Sequence, residues 1–259
     1  MVIQFDKFRE ECGVMGVYGQ PEASKLVYLG LYALQHRGQE SAGIAASDGV
    51  QIRHRKAMGY VNEAFDADSL AKLTGDLAIG HVRYSTAGES KLSNAQPIVV
   101  DSVHGPFAIG HNGNLVNAGE LREALVREGA IFQTNSDTEV LVHLYARSRE
   151  VGTEAAIVDA ISQVRGAFSF VMMTRDRIIG VRDPHGFRPL ALGQLGDAWV
   201  MCSETCALDL IGATYVRDVE PGEVVIVSSS GVKSFKPFAP APSTQCVFEH
   251  VYFARPDSY

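Results

Sequence analysis

The sequence predicts an α+β fold made largely of antiparallel sheet. Hydrophobic residues fill 46% of its 259 positions, which suffices to bury the core of one large domain or of two small ones. Short β-rich runs outnumber the amphipathic helical stretches, and the two do not alternate regularly as they would in a parallel sheet. Tight turns separate several of these runs, as at 47–49 and 228–231.

The first half of the chain predicts strands around one early helix. Val27, Leu31 and Leu34 recur at helical spacing, so we expect a helix over 21–34 with these side chains on one face. The apolar run at 14–17 suits a buried strand before that helix. Further strands are predicted within 42–58, where two flank a turn, at 77–84, and in a hairpin of 98–100 with 107–109.

Three helices and a second group of strands are predicted in the rest of the chain. Capping residues predict where the helices begin, namely Asn117 with Glu120, Ser136 with Glu139, and Thr153. The β-rich pattern that follows predicts strands at 167–173, 178–181, 190–192, 199–202, 223–227 and 232–235. Residues 236–243 contain three prolines and are predicted to form a linker.

Charge and hydropathy limit the classes of partner. The 23 basic and 30 acidic residues give a net charge of −7, and we expect no nucleic-acid partner because such proteins usually carry a basic patch. The sequence has no apolar run of the roughly 20 residues that cross a bilayer, and its first residues lack the apolar core of a signal peptide. A cytoplasmic protein with no membrane partner and with reduced cysteines is therefore expected.

A cysteine stands at the head of the first predicted strand. If residues 1–11 were removed, Cys12 would carry a thiol of pKa about 8.5 beside an α-amine of pKa about 8, which is a nucleophile with its own base. The alternative is a buried structural cysteine, because free cysteines are among the most buried residues in proteins.

The run Cys12-Gly13-Val14-Met15-Gly16-Val17-Tyr18-Gly19 resembles the start of the class II glutamine amidotransferases, which are N-terminal-nucleophile (Ntn) hydrolases. Further blocks resemble the same family, at 35–43, 80–88, 94–97, 111–115, 135–139, 182–190 and 203–205. The resemblance implies a four-layer αββα sandwich with mainly antiparallel sheets. It also implies a glutaminase in which the Cys12 thiolate attacks the side-chain amide of L-glutamine.

The resemblance assigns roles to the residues of these blocks. Asn112 and the Gly113 backbone N–H would form the oxyanion hole, Arg83 would hold the α-carboxylate of glutamine, and Asp137 would bind its α-ammonium. The substrate-binding set would also include Arg37, Gly38 and Thr86. Plainer readings exist, because Asn-Gly is a common hairpin turn and an acidic residue at a helix start complements the helix dipole.

The stretch 248–258 resembles the junction into a phosphoribosyltransferase domain found in one branch of the family. This implies a propeptide at 1–11, a glutamine amidotransferase domain at 12–235, and at 236–259 a linker with the start of a truncated phosphoribosyltransferase domain. We expect residues 244–259 to be poorly anchored. Ammonia would pass to phosphoribosyl pyrophosphate and give phosphoribosylamine, the first step of de novo purine synthesis.

The resemblance also implies cofactors and alternatives. The glutaminase step needs no cofactor, whereas in a full-length enzyme Cys246 is a candidate ligand of an iron–sulfur (4Fe-4S) cluster and Mg would serve the second site. A homo-oligomer is expected. The alternatives are the glutaminase domain of another class II amidotransferase, or an inactive binding domain of the same fold.

Overall fold

Two β-sheets stacked face to face form the centre of the molecule, and helices cover the outer side of each sheet. The structure is a computed structural model that describes residues 12–84, 90–239, 241–242, 244, 249 and 253–258. Every strand pair in the described part of the two sheets is antiparallel. The predicted α+β class and four-layer αββα sandwich are confirmed.

The strands form one seven-stranded and one six-stranded sheet. In chain order they are β1 (Gly13–Tyr18), β2 (Ser41–Ser47), β3 (Ile52–Met58), β4 (Leu77–Arg83), β5 (Ile98–Ser102), β6 (Gly105–Leu115), β7 (Gly166–Met173), β8 (Arg177–Arg182), β9 (Ala191–Leu195), β10 (Ala198–Cys202), β11 (Thr214–Asp218), β12 (Val224–Ser228) and β13 (Gly231–Phe235). The first sheet has the order β11-β9-β10-β1-β4-β2-β3, and the second has the order β13-β12-β8-β7-β6-β5.

The helices divide between the two outer faces. They are α1 (Ala23–Ala33), α2 (Val61–Ala64), α3 (Ala67–Ala71), α4 (Ala118–Arg127), α5 (Thr138–Arg147), α6 (Thr153–Gln163) and α7 (Cys206–Ile211). Apolar side chains of α1, α2 and α7 pack on the first sheet, whereas those of α4, α5 and α6 pack on the second.

Alternation of side chains divides each central strand between an outer and an inner core. In β1, Met15 and Val17 pack with the helices of the first sheet. Val14 points the other way and packs between the sheets with Ala108 and Val171. Strands that are buried on both faces read as continuous apolar runs, which explains the run at 14–17.

His81 ties the two sheets together near one end. It lies in β4, is fully buried, and its ring Nε2 is 2.9 Å from the backbone carbonyl of His111 in β6. Because a carbonyl only accepts, Nε2 carries the proton and donates. Burial lowers the pKa of His81 to about 3, so the imidazole is neutral near pH 7.

Most predicted strands and helices are present, but short elements and caps were beyond sequence reasoning. The short helices α2, α3 and α7 and the edge strand β11 were not predicted. Asn117 precedes α4, yet its side chain binds the backbone of Arg165 and Gln163 instead of the first helical turn. The predicted capping box at α5 is also wrong, because the Glu139 carboxylate accepts N–H groups of the preceding loop.

The expectation that residues 244–259 are poorly anchored is wrong for the described ones. The backbone N–H of Thr244 donates to the carbonyl of His185 at 2.8 Å, and Glu249 is 4% exposed. The Arg255 backbone N–H donates to the Glu204 carboxylate at 3.0 Å. The end of the chain therefore lies against the body of the domain through polar contacts.

Replacing His81 by glutamine should flatten the pH dependence of stability between pH 7 and pH 5. The unfolded chain protonates His81 below about pH 6.5, whereas the folded chain resists protonation down to about pH 3. Stability is therefore lost as the pH falls, by about 2 kcal/mol at pH 5 for this one group. The introduced amide can donate the same hydrogen bond without titrating, so urea unfolding at both pH values should show a smaller loss in His81→Gln. An unchanged loss would assign the acid sensitivity to another group.

Candidate active site

Cys12 lies at the end of the central strand β1, at one edge of the inner core. Its side chain is buried, with 6% exposed, and Sγ lies 3.5 Å from the backbone carbonyl of Tyr84. The neighbouring strand positions are fixed on both sides, because Val14 N donates to Ser203 Oγ at 2.9 Å and β1 pairs with β4 through Gly13. Cys12 precedes by two residues Val14, which packs between the sheets, so the nucleophile predicted from the sequence lies at the edge of that space.

Arg37 fixes the backbone of Cys12. It follows α1 in a 3-10 turn (Gln35–Arg37), and its guanidinium is buried. Nε donates to the Cys12 carbonyl at 3.0 Å, Nη1 to Glu204 at 2.6 Å, and Nη2 to Glu249 at 2.8 Å. The Arg37 side chain therefore contacts the main chain of Cys12. The sequence predicts instead that Arg37 binds substrate.

The two carboxylates keep this buried arginine charged. Burial alone would lower the pKa of Arg37, but the charges of Glu249 and Glu204 raise it well above its usual range. For Glu204 the directions are reversed. Burial alone would raise its pKa, but the hydrogen bond from His36 and the charge of Arg37 lower it to about 2. Arg37 and Glu204 are therefore both ionised at neutral pH.

Arg83 closes the same edge of the first sheet. It is the last residue of β4, is 3% exposed, and its Nη1 donates to Glu40 Oε2 at 3.2 Å. Gly38 lies against its main chain, because a Cβ there would come within 2.7 Å of the Arg83 nitrogen. The glycine lets the turn after Arg37 pass directly beside Arg83.

Asn112 presents a buried amide to the space between the sheets. It is four residues beyond Ala108, which packs in the inner core, so its side chain lies on the same inner face of β6. It is fully buried, and neither its Oδ1 nor its Nδ2 has a hydrogen-bond partner among the described residues. Leaving a buried amide without partners costs about 1–3 kcal/mol. Such a group needs an explanation, and a place for a ligand to bind is one.

Gly113 is the neighbour of Asn112 and needs to be glycine. Its φ is +140°, and a Cβ at this position would lie 2.0 Å from the Ala167 carbonyl oxygen of β7. The Asn-Gly pair is therefore not a hairpin turn. It is part of a continuous ladder in which Asn112 pairs with Ser169 and Gly113 with Phe168.

Asp137 lies beyond the end of β6, at the start of α5. Its Oδ2 accepts the backbone N–H of Leu115 at 2.8 Å, and its Oδ1 is 3.5 Å from His111 Nδ1. Burial alone would raise the pKa of Asp137, but His111 and these hydrogen bonds hold it below its usual range. Asp137 is an ionised carboxylate beside the strand that carries Asn112 and Gly113.

The structure brings some of the predicted site residues together and leaves two undescribed. Cys12, Arg37, Gly38 and Arg83 lie at one edge of the first sheet, while Asn112 and Gly113 lie on β6 with Asp137 at its end. Thr86 and Cys246 lie outside the described residues. Within the described ranges no group of three or more His, Cys, Asp or Glu side chains is arranged to hold a metal ion.

Sequence reasoning assigned no individual role to several residues that organise the site. Glu204 and Glu249 lie in blocks that resemble the family, but the resemblance did not indicate that they bind Arg37. Gln96 receives no role from the sequence, yet its Oε1 accepts the His111 N–H at 2.8 Å and its Nε2 donates to Thr138 Oγ1 at 3.1 Å. These side chains position others, and only the family blocks pointed to them.

Two facing antiparallel sheets between helix layers, with a cysteine at the start of a central strand, are the arrangement of the Ntn-hydrolase class. The chain belongs to the glutamine amidotransferase domain family, whose model matches residues 81–210. In Rhizobium etli, an amidophosphoribosyltransferase is 49% identical over 259 residues, which cover 98% of this chain and 52% of the relative. The amidophosphoribosyltransferase of Bacillus subtilis is 47% identical over 259 residues, which cover 100% of this chain and 54% of the relative.

A solved structure carries the same fold. Glutamine phosphoribosylpyrophosphate amidotransferase from Bacillus subtilis, complexed with ADP and GMP, matches with a TM-score of 0.92 at 46% identity. The match covers 96% of this chain and 54% of that chain. The chain thus spans about half the length of the curated relatives described here.

Substituting Gly38 by alanine should destabilise the domain. The new methyl carbon would lie 2.6–2.8 Å from backbone atoms of Val82 and Arg83, so the turn or the end of β4 must move. We expect the free energy of unfolding to fall by about 1–3 kcal/mol in urea titrations.

Gly119→Ala in α4 is the matched control, because a Cβ there meets nothing within 4 Å. Alanine in a helix should instead raise stability, by about 0.5–1 kcal/mol. Equal changes in the two variants would contradict the close approach at Gly38.

Proposed function

We propose that the chain is the glutaminase half of an amidophosphoribosyltransferase. The observation that carries the proposal is the placement of Cys12 and the buried, unpartnered Asn112 amide at the inner faces of the two sheets. The names of the relatives, at 47–49% identity, support the particular enzyme over other class II amidotransferases. Retention of Cys12, Arg83, Asn112 and Asp137 favours an active domain over an inactive binding domain.

The first half of the reaction forms a thioester. The Cys12 thiolate adds to the side-chain amide carbon of glutamine, and the α-amine of the same residue accepts the thiol proton. The amide oxygen becomes an oxyanion that receives hydrogen bonds from Asn112 Nδ2 and the Gly113 N–H. The protonated α-amine then gives its proton to the leaving nitrogen, the C–N bond breaks, and ammonia departs.

The second half releases glutamate. The α-amine removes a proton from water, and the resulting hydroxide adds to the thioester carbon. The oxyanion again lies against Asn112 and Gly113. Collapse of this intermediate breaks the C–S bond, and the cysteine thiolate is restored with glutamate as the product. The β6 ladder holds the backbone of Asn112 in place, so its side-chain amide can serve both halves of the reaction without reorienting. This is the advantage of a preorganised donor.

Two ionised groups would select the amino-acid end of the substrate. A guanidinium binds a carboxylate through two parallel hydrogen bonds, so Arg83 suits the α-carboxylate of glutamine. Asp137 is held ionised and suits the α-ammonium. Glu40 already pairs with Arg83 at 3.2 Å, so it orients the guanidinium before the substrate carboxylate arrives.

The remaining assignments are parts of the same proposal. Residues 12–235 form the glutaminase domain, and residues 236–259 lead towards a phosphoribosyltransferase domain. In the whole protein, ammonia would replace pyrophosphate on phosphoribosyl pyrophosphate with the help of Mg. The cluster ligand at Cys246, the homo-oligomer and the cytoplasmic location stay predictions, to be checked by iron and sulfide analysis, light scattering and cell fractionation.

Removal of residues 1–11, which lie outside the described residues, is the first test. Glutaminase activity should appear only in protein whose measured mass begins at Cys12, because cleavage is what frees the α-amine. Cys12→Ala should release no glutamate above background. Cys206→Ala is the control, since Cys206 is a buried thiol of α7 whose pKa is raised to about 11 by burial. Full activity in chains that keep Met1 would falsify the processing step.

Arg83 and Asn112 should affect different kinetic constants. Arg83→Lys keeps the charge but loses the paired hydrogen bonds, so KM for glutamine should rise while kcat changes less. Asn112→Ala should lower kcat by about two to three powers of ten with a smaller change in KM, because the oxyanion forms only along the reaction path. A change in KM alone for Asn112→Ala would contradict the assignment of Asn112 to the oxyanion hole.

A further inference from the structure

The guanidinium of Arg37 is held on three sides. Nε donates to the Cys12 carbonyl at 3.0 Å, Nη1 to Glu204 at 2.6 Å and Nη2 to Glu249 at 2.8 Å. Because the guanidinium is planar and rigid, partners on its three nitrogens fix both its plane and its rotation. The position of the Cys12 main chain therefore depends on both carboxylates.

Glu249 differs from Glu204 in where it comes from. Glu204 belongs to the turn between β10 and α7, within the body of the domain. Glu249 lies beyond the last described strand, in the segment that follows the proline-containing linker. Its side chain nevertheless is 4% exposed, so it is inserted into the domain as deeply as Glu204.

Both oxygens of Glu249 are used. Oε2 accepts from Arg37 at 2.8 Å, and Oε1 accepts from Arg188 Nη1 at 2.8 Å. Arg188 belongs to the loop between β8 and β9, and its carbonyl accepts from Ser169 Oγ and from Arg182 Nε. The Glu249 carboxylate thus links Arg37, which holds the Cys12 carbonyl, to Arg188 in the loop that follows β8 of the second sheet.

We infer that Glu249 is a positioning residue of the glutaminase site, acting on Cys12 through Arg37. This rests on the proposed function of Cys12. Glu249 does not contact the nucleophile's side chain, and its role is to hold the guanidinium that holds the Cys12 carbonyl. Burial of the Glu249 carboxylate against Arg37 and alignment of Cys12 are then coupled.

The consequence of losing the carboxylate follows from the charge balance. Arg37 and Arg188 carry two positive charges, and Glu204 and Glu249 carry two negative ones. Without Glu249 the buried Arg37 keeps one ion pair and can turn towards Glu204, which loosens its bond to Cys12. A misplacement of about 1 Å at a reacting group can lower a rate about 10²-fold.

The experiment uses the whole processed chain with Glu249→Gln, which keeps the size of the side chain and removes its charge. We expect kcat for glutamine to fall about 10²-fold, with KM within a few-fold of wild type. Inactivation by the diazoketone analogue of glutamine should slow to a similar extent, because that reagent also needs an aligned thiolate. Glu249→Asp keeps the charge on a side chain one methylene shorter. Its kcat should be at least about tenfold higher than that of Glu249→Gln.

Alkylation by iodoacetamide separates positioning from a change in thiol ionisation. This small reagent needs no alignment with a bound substrate, so its rate should not fall in Glu249→Gln. Loss of a nearby negative charge favours the thiolate, and the rate at neutral pH should rise or stay constant. A parallel fall in the iodoacetamide and glutamine rates would overturn the positioning role.

Glu223→Gln is the matched control. Glu223 is also 4% exposed and binds an arginine through both oxygens, but that arginine is Arg217 and not Arg37. Because Arg217 is partly exposed, we expect only the stability loss of a half-buried ion pair, seen as a lower melting temperature, with kcat close to wild type.

The outcomes separate the two proposals. A wild-type kcat in Glu249→Gln, no recovery in Glu249→Asp, or an equal kcat loss in Glu223→Gln would overturn the role of Glu249. No glutamine hydrolysis by processed wild-type protein would instead overturn the proposed function.

Discussion

The stacking of two sheets through a shared inner face is the constraint on which the rest of the molecule depends. Along most of its length this face is apolar, with Val14, Ala108 and Val171 in contact. At one edge the same alternation of strand residues brings polar side chains inward, including Arg83 and Asn112. The polar edge exists only because the apolar layer behind it fixes the separation and the register of the strands.

Polar groups at this edge divide into those that are satisfied and those that are not. Arg37 is bonded to the carboxylates of Glu204 and Glu249, and Arg83 to that of Glu40. The Asn112 amide lacks a partner among the described residues. A buried charge without a partner would be far costlier than a neutral amide, so an unpaired amide is the cheaper group to hold at this edge.

Local sequence signals predicted the α+β class, the long helices and nearly all of the strands, because these depend on periodicity over several residues. The helix α1 and the hairpin of β5 and β6 are examples. The four-layer arrangement and the roles predicted for Cys12 and Asn112 came from family resemblance, since no spacing along the chain shows that β1 and β6 are neighbours. The partners of Arg37 are 167 and 212 residues away, and no local pattern links residues at such separations.

Strand β6 carries functional groups on both of its faces. Asn112 points between the sheets, whereas the His111 ring lies on the helix side, 3.5 Å from Asp137 Oδ1. The close approach of Gly113 to Ala167 pins the strand against β7. An insertion or deletion inside β6 would turn every later side chain to the opposite face and exchange the two sets of groups at once. A length change at the start of the strand is therefore tolerated only in the hairpin turn at 103–104, before β6 begins, where an added residue alters neither face.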